Sequence, residues 1–238
     1  MTNPWSGAPT LTVLKDPPSR GAGLDLDAGI TLLREVGSGF RPSTLRLYRP
    51  QPTVAFGQRD ARLPGFDEAC AAASAAGFEP LVRRAGGRAA AYHQGCLIVD
   101  HLEPSTDAIA ATRARFAFFG GLFAEVLREV GVHAGVGETP GEYCPGEFSV
   151  HGATDQHHQV KLVGTAQRVV AGAWFFSSVI VVRDAAPIRE VLVHAYDALA
   201  LPWEPRTAGA VEDLVPGIGV DDVERALLAA YATHVTLA

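Results

Sequence analysis

Apolar residues return every three or four positions in five parts of the chain, a spacing that is typical of amphipathic helices. The predicted helices cover residues 24–36, 64–76, 107–130, 185–199 and 220–232. Gly37 and Gly77 end the first two, because glycine readily adopts the backbone conformation that closes a helix. On the third helix, Phe116, Phe119 and Phe123 share one face. We therefore expect this face to pack in the core.

Short apolar or alternating runs predict β-strands between these helices. They cover residues 44–48, 52–57, 79–83, 89–92, 96–100, 148–151, 160–164 and 173–182. The second run is expected to pair with the first as its antiparallel neighbour. This order of elements predicts an α+β fold, in which helices pack on a mixed, mostly antiparallel sheet.

The domain organisation is expected to be simple, because no long linker and no sharp change in composition divides the chain. We therefore expect residues 1–238 to form a single domain. Residues 1–23 are rich in Pro, Gly and Ser around one apolar run at 11–14, and we interpret them as a loosely packed lead-in. The first residues have neither the positive charge nor the apolar stretch of a secretory signal.

Composition and charge exclude several classes of function. Of the 238 residues, 47% are hydrophobic and 19% are charged, and no apolar run approaches the length of a membrane span. The net charge of −6 argues against nucleic-acid binding, which relies on a basic surface. Cys70, Cys96 and Cys144 form no Cys-x-x-Cys pair and cannot all be bridged, which favours the reducing cytoplasm.

Three histidines, His151, His157 and His158, lie close together in the sequence. Turn-forming residues separate them, so we expect them on an exposed hairpin tip. No cysteine or acidic residue lies at a spacing that would complete a tetrahedral zinc site. We therefore expect no metal site in this chain.

The strongest chemical candidate is Cys144, which lies at a Pro-Gly turn within the sequence Gly-Glu-Tyr-Cys-Pro-Gly. Lys161, in an otherwise apolar strand, would be costly to bury without a partner. A nearby ammonium group favours the nucleophilic thiolate form of a cysteine. It can also hydrogen-bond an acyl oxygen on which negative charge develops. A cysteine that carries an acyl group beside such a lysine indicates an acyltransferase.

A second motif runs from Arg83 to Gly95 and contains the glycine pair Gly86 and Gly87. Paired glycines after a strand let the backbone approach a ligand, and their N–H groups can hold an anion or a carbonyl oxygen. Taken alone, the motif is equally compatible with a tight β-turn that carries solvated arginines.

Together these segments resemble the biotin/lipoate protein ligase and octanoyltransferase family. The similar segments are residues 52–58, 83–89, 92–95 and 161–168, which occur in the family's order. The resemblance implies a catalytic domain related to class II aminoacyl-tRNA synthetases and biotin–lipoate ligases. It also implies a substrate-binding set of Arg83, Gly86, Gly87, Tyr92, His93, Gly164, Thr165, Ala166 and Gln167. We expect the acyl slot between the glycine pair and the strand at 161–167.

The segment Tyr-Cys-Pro-Gly around Cys144 is similar to that of the cysteine-dependent octanoyl amidotransferases. The resemblance implies a thioester on Cys144, an essential Lys161 and no cofactor besides the octanoyl or lipoyl substrate. It implies lipoyl-domain partners, namely the glycine-cleavage H protein and 2-oxoacid dehydrogenase subunits, with acyl carrier protein as a further candidate donor. Two residues depart from the family pattern at the glycine loop, Ala85 in place of serine and Arg88 after the pair.

Two alternatives remain open from the sequence. An ATP-dependent lipoate–protein ligase would use ATP and Mg²⁺, with Arg83 and the glycine pair on the phosphates and Lys161 on the acyl-adenylate. A non-catalytic protein would bind acylated carrier proteins without turnover and would form no adduct on Cys144.

Overall fold

The computed structural model describes residues 10–15, 19–153 and 158–238. The helices are α1 Ala22–Gly37, α2 Phe66–Ala75, α3 Thr112–Glu129, α4 Ala185–Ala198 and α5 Val220–Ala232. The strands are β1 Thr10–Lys15, β2 Thr44–Tyr48, β3 Thr53–Phe56, β4 Glu79–Val82, β5 Ala90–Tyr92, β6 Cys96–Pro104, β7 Ala134–Val136, β8 Val150–Ala153, β9 Gln159–Val170, β10 Ala173–Val181 and β11 Thr236–Leu237.

Most strands belong to one sheet with the order β11-β1-β2-β6-β10-β9-β8-β7. In this sheet β1 pairs in parallel with both of its neighbours, β11 and β2. All other neighbouring strands of the sheet are antiparallel. A smaller sheet has the order β4-β3-β5, with β3 parallel to β4 and antiparallel to β5. The predicted α+β architecture with a mixed, mostly antiparallel sheet is therefore confirmed.

Helices cover both faces of the large sheet because its strands alternate their apolar side chains between the two faces. On β10, Trp174 and Phe176 pack in the same cluster as Phe119 and Phe123 of α3. The intervening Phe175 packs with α1 instead. The small sheet, α2 and α4 share a third cluster. The aromatic face of α3 is core as predicted, although Phe116 is only half-buried and reaches a cavity.

The pairing predicted for residues 52–57 is wrong. Strand β3 lies in the small sheet, whereas β2 has β1 on one side and β6 on the other. The neighbour of β2 on one side is formed by residues 10–15, which were interpreted as part of a loosely packed lead-in. They form β1, and Leu11 is almost completely buried. Because β1 and β6 occupy both edges of β2, no edge is free for β3.

The five predicted helices are confirmed, with small shifts in their ends. The largest shift is at α3, which begins at Thr112 rather than at residue 107. Asp107 accepts a hydrogen bond from the Ala110 N–H, so a turn precedes the helix. The short strands β7 and β11 were not predicted, because two or three residues are too few to show a periodic pattern.

Substitution of Gly65 tests the packing of α2 against α4. A Cβ atom at this position would lie 1.8 Å from the backbone oxygen of Ala198. Because this oxygen belongs to the backbone of α4, the helices must move apart, and we expect Gly65→Ala to cost about 1–3 kcal/mol. Gly23→Ala is the control, since its Cβ would meet nothing closer than 3.8 Å. Thermal unfolding of both variants checks the difference, and equal stability would contradict this packing.

Candidate active site

Cys144 lies in the loop 137–149, which connects β7 to β8. Its φ of 44° places it in the left-handed region, where residues other than glycine are uncommon. The Cys144 N–H donates to the Tyr196 hydroxyl oxygen at 2.7 Å, and this hydroxyl donates to the Ala89 oxygen at 2.9 Å. Burial raises the pKa of Tyr196, so the phenol stays protonated and remains a donor. Helix α4 therefore fixes the unusual backbone at the cysteine.

The carboxylate of Glu142 organises the rest of this loop. Its Oε1 atom accepts hydrogen bonds from the Ser149 hydroxyl at 2.5 Å and the Gly146 N–H at 3.0 Å. Its Oε2 atom accepts from the Thr139 N–H at 3.2 Å. The side chain is completely buried. A buried carboxylate with several donors can hold three separate parts of one loop together.

Lys161 of β9 supplies the charge that balances Glu142. It is 2% exposed, and its Nζ atom lies 3.1 Å from Oε1 of Glu142. Nζ also donates to the backbone oxygens of Tyr143 at 3.0 Å and Cys144 at 2.8 Å. Lys161 and Cys144 thus come together as predicted, but the contact is to the carbonyl group and not to sulfur. Three acceptors match the three N–H bonds of the ammonium group.

The neighbours of the Cys144 sulfur come from the glycine-loop motif. The Arg88 N–H donates to Sγ at 3.2 Å, and the Nη2 atom of Arg83 lies 3.6 Å from it. Nη2 also donates to the Arg88 oxygen at 2.8 Å, which fixes the guanidinium group. The Arg88 side chain pairs with the buried Asp60 at 2.9 Å. A guanidinium group and an N–H dipole directed at sulfur stabilise negative charge on it.

The two glycines of this loop are not equivalent. Gly87 has a φ of +107°, and a Cβ atom there would lie 2.9 Å from Sγ of Cys144 and 2.4 Å from Nη2 of Arg83. Gly86 has no atom within 4 Å of the corresponding position. Glycine at position 87 is therefore required for the sulfur to approach the loop. A bulky residue at this position would displace the sulfur. Its effect would therefore not be limited to filling the expected acyl slot.

A cavity of about 530 Å³ adjoins these groups. Its wall contains both predicted catalytic residues and eight of the predicted binding residues: Cys144, Lys161, Arg83, Gly86, Gly87, Tyr92, Gly164, Thr165, Ala166 and Gln167. The cavity extends between the glycine pair and β9, where the acyl slot was expected. Its volume is in the range of small-molecule binding sites.

His93 is the one predicted binding residue that does not line this cavity. Its Nδ1 atom accepts the Gly95 N–H at 2.9 Å, and Nε2 lies 2.9 Å from the Asp184 oxygen. Since Nδ1 accepts, Nε2 carries the proton and donates. The ring therefore stabilises the turn between β5 and β6 and the start of α4.

Four residues that contribute to the site were given no role in the sequence analysis: Glu142, Tyr196, Asp60 and the backbone of Arg88. Glu142 could have been found, since it lies two positions before Cys144 and a buried lysine needs an acidic partner. Tyr196 and Asp60 lie far away in the sequence and carry no local signal.

Two of the three histidines, His151 and His158, lie within the described residues. In residues 10–15, 19–153 and 158–238, no three His, Cys, Asp or Glu side chains are placed to hold a metal ion. His151 contacts the Gly137 oxygen, and His158 contacts the Arg206 oxygen. His157 lies outside the described residues. None of the described helices is both long enough and apolar enough to cross a membrane.

The family of this chain follows from comparison with known proteins. The model of the lipoyl protein ligase A/B catalytic domain matches residues 25–232, so the chain belongs to this family. An octanoyl-[GcvH]:protein N-octanoyltransferase of Geobacillus kaustophilus is 29% identical over 189 residues, which cover 79% of this chain and 64% of the relative. A lipoyl-[GcvH]:protein N-lipoyltransferase of Listeria monocytogenes is 28% identical over 143 residues, which cover 59% of this chain and 49% of the relative. The chain thus spans less than two thirds of the length of these relatives.

Solved structures show the same fold. Lipoate-protein ligase A bound with ATP has a TM-score of 0.67 at 21% identity, with 96% of this chain and 87% of that chain covered. A bi-partite lipoate protein ligase of Thermoplasma acidophilum has a TM-score of 0.68 at 20% identity, with 96% and 85% covered. These similarities confirm the predicted fold of the lipoate–protein ligases.

The ion pair between Glu142 and Lys161 is testable by removal of one charge. Glu142→Gln keeps the shape of the side chain but leaves the buried ammonium group without a counter-charge, and we expect a loss of about 3–5 kcal/mol. Glu147→Gln, in the same loop, is the control, because its pair with Arg113 is largely exposed and should contribute little. Chemical denaturation measures both variants. Similar losses would contradict a special role for Glu142.

The three cysteines should differ in their reaction with an alkylating agent. Burial raises the pKa of Cys96 to about 12, and burial, with a smaller effect of Asp67, raises the pKa of Cys70. Both therefore remain neutral thiols at about pH 8, whereas Cys144 faces the cavity beside Arg83. We expect limited iodoacetamide treatment to modify Cys144 first, as measured by peptide mass spectrometry. Faster modification of Cys70 or Cys96 would contradict this assignment.

Proposed function

We propose that this chain transfers an octanoyl or lipoyl group between proteins through a thioester on Cys144. The observation that carries the proposal is the sulfur of Cys144 in the cavity wall, in contact with the Arg88 N–H and the Arg83 guanidinium group. The relatives that are named octanoyl- and lipoyltransferases support the same class of reaction.

In the first step, the thiolate of Cys144 attacks the carbonyl carbon of an acylated lysine on the donor. The carbon–sulfur bond forms, the carbon–nitrogen bond breaks, and the lysine amine leaves with the proton that the thiol released. The Arg83 guanidinium group and the Arg88 N–H contact the sulfur that makes this attack. Conversion of an amide to a thioester is uphill, so this step is reversible.

In the second step, the lysine amine of an acceptor attacks the thioester. The new carbon–nitrogen bond forms, the carbon–sulfur bond breaks, and the proton of the amine returns to the sulfur. Aminolysis of a thioester is downhill, and the two steps together exchange one amide for another. The reaction therefore consumes no nucleotide and needs no metal ion.

The acyl oxygen needs hydrogen-bond donors in both steps. Lys161 is engaged with Glu142 and with two backbone oxygens of the loop, so we assign it a positioning role. Backbone N–H groups of β9 are better candidates for donors. Strand β8 pairs with β9 only as far as Val163, which leaves the outer edge of β9 from Gly164 to Ala166 without a β8 partner.

The proposed partners are proteins with lipoyl domains. The names of the curated relatives contain GcvH, which we take as the glycine-cleavage H protein, and one structural neighbour is described together with its E2 lipoyl domain. The donor in the two steps above is the H protein, and the acceptors include 2-oxoacid dehydrogenase subunits. Acyl carrier protein, the further candidate donor, would supply the acyl group as a thioester, and its thiol would then leave in place of the lysine amine. A nucleophilic thiol must stay reduced, so we place the reaction in the cytoplasm.

Intact-mass spectrometry after incubation with octanoylated H protein, without ATP, tests the proposal. Wild type should gain the mass of one octanoyl group. Cys144→Ala should gain none, because the other two cysteines, Cys70 and Cys96, do not line the cavity. Cys70→Ala is the control and should be acylated normally. Acyl transfer by Cys144→Ala at the wild-type rate would contradict the thioester. A strict requirement for ATP would indicate the ligase reaction instead.

A further inference from the structure

The two polar neighbours of the Cys144 sulfur are both linked to the backbone of Arg88. The Arg88 N–H donates to Sγ at 3.2 Å. The other neighbour, Nη2 of Arg83, lies 3.6 Å from Sγ and donates to the Arg88 oxygen at 2.8 Å. Within the part of the chain that the structure describes, no carboxylate pairs with Arg83, and its buried Nε atom has no hydrogen-bond partner. The position of both groups at the sulfur therefore follows the position of Arg88.

The side chain of Arg88 is anchored by Asp60. Its Nη1 atom donates to Oδ1 of Asp60 at 2.9 Å. The Asp60 side chain is completely buried, whereas that of Arg88 is 33% exposed. Oδ2 of Asp60 accepts the Gly57 N–H at 2.8 Å, so one carboxylate joins the turn after β3 to Arg88. Because a buried carboxylate without a cationic partner is strongly disfavoured, this pair restrains Arg88.

The same turn supports the first part of the glycine loop, residues 83–88. The Arg83 N–H donates to the Phe56 oxygen at 2.9 Å, and the Gln58 amide group donates to the Arg83 oxygen at 2.9 Å. A Cβ atom at Gly57 would lie 1.9 Å from the Gly87 oxygen, so the two backbones are in close contact. These contacts fix the beginning and the middle of the loop, and the ion pair fixes its end.

We propose that Asp60 is a positioning residue for the nucleophile, which acts through Arg88 to hold two hydrogen-bond donors at the sulfur of Cys144. Asp60 does not line the cavity, so it acts without contact to the acyl group. Loss of its charge should therefore lower the reactivity of the thiol while both donors remain in the chain. The inference rests on the proposed function only in its choice of Cys144 as the nucleophile.

A role through Arg88 differs measurably from a role in the turn alone. Asp60 also accepts the Gly57 N–H, so a substitution at this position alters the turn as well. A double-mutant cycle separates the two routes, because effects that pass through one shared contact do not multiply. If Asp60 acts through Arg88, its replacement has no further effect once Arg88 is replaced.

The rate at which iodoacetamide modifies Cys144 at a fixed pH tests the inference and requires no acyl donor. Wild type, Asp60→Asn, Arg88→Leu and the double variant are compared by peptide mass spectrometry. We expect each single variant to react about tenfold more slowly, because the reacting thiolate accepts hydrogen bonds from both donors and such bonds to a charged group are strong. The double variant should be no slower than the slower of the two single variants.

Two further variants test the charge and the position of this pair. Arg88→Lys should keep most of the wild-type rate, because only one nitrogen of Arg88 contacts Asp60 and an ammonium group can replace that contact. Arg41→Leu is the matched control and should react like wild type, since Arg41 is 32% exposed, pairs with Glu35 and does not line the cavity. Thermal unfolding shows whether each variant is folded. If Asp60→Asn does not fold, the comparison of Arg88→Leu with Arg88→Lys carries the test alone.

Three results would overturn the inference. They are single variants that both react at least as fast as wild type, equally slow reaction of Arg88→Leu and Arg88→Lys, and a double variant that shows the product of the two single effects, about a hundredfold. Acylation of wild type by octanoylated H protein is measured separately. If alkylation follows the expected pattern but no acyl-enzyme forms, the proposed function is contradicted and the positioning role of Asp60 stands.

Discussion

The buried ion pair between Glu142 and Lys161 is the interaction on which the site depends. Taking two charges out of water is costly, and the structure offsets this cost with further hydrogen bonds on each partner. Glu142 receives donors from three positions of its own loop, and Lys161 donates to the backbone oxygens of Tyr143 and Cys144. Strand β9 thereby holds a loop that contains no regular secondary structure. The cysteine keeps a left-handed backbone conformation because this network, together with Tyr196, fixes the residues on either side of it.

The sulfur itself is controlled from another part of the chain. Arg83 and Arg88 belong to the segment between β4 and β5, and Asp60 anchors this segment through the Arg88 side chain. The close approach is possible because Gly87 has no side chain between the guanidinium group and the sulfur. The positive charge beside the Cys144 sulfur is therefore that of Arg83, while Lys161 fixes the backbone of the cysteine. Lys161 was expected to stabilise the thiolate and to hydrogen-bond an acyl oxygen, but its ammonium group contacts Glu142 and two backbone oxygens instead.

The cavity beside Cys144 is lined by both apolar and polar side chains. Ile98 and Val179 lie opposite each other on β6 and β10, and Asp100 and Ser177 lie opposite each other two positions away. Because strand residues two apart face the same side, a change of two positions is enough to alter the chemistry of the wall.

The sequence by itself determined the five helices, most strands and the fold class, and it predicted that Cys144 and Lys161 lie close together. These predictions were possible because periodic patterns and family motifs are local in the sequence. It could not determine that β3 leaves β2 for a second sheet, since both edges of β2 are filled by strands far away along the chain. Nor could it determine which atoms meet at the sulfur or that His93 stabilises a turn. The contacts at the sulfur and the contact between His93 and Asp184 join residues tens of positions apart, and only the register of the strands and the path of the loops bring them together.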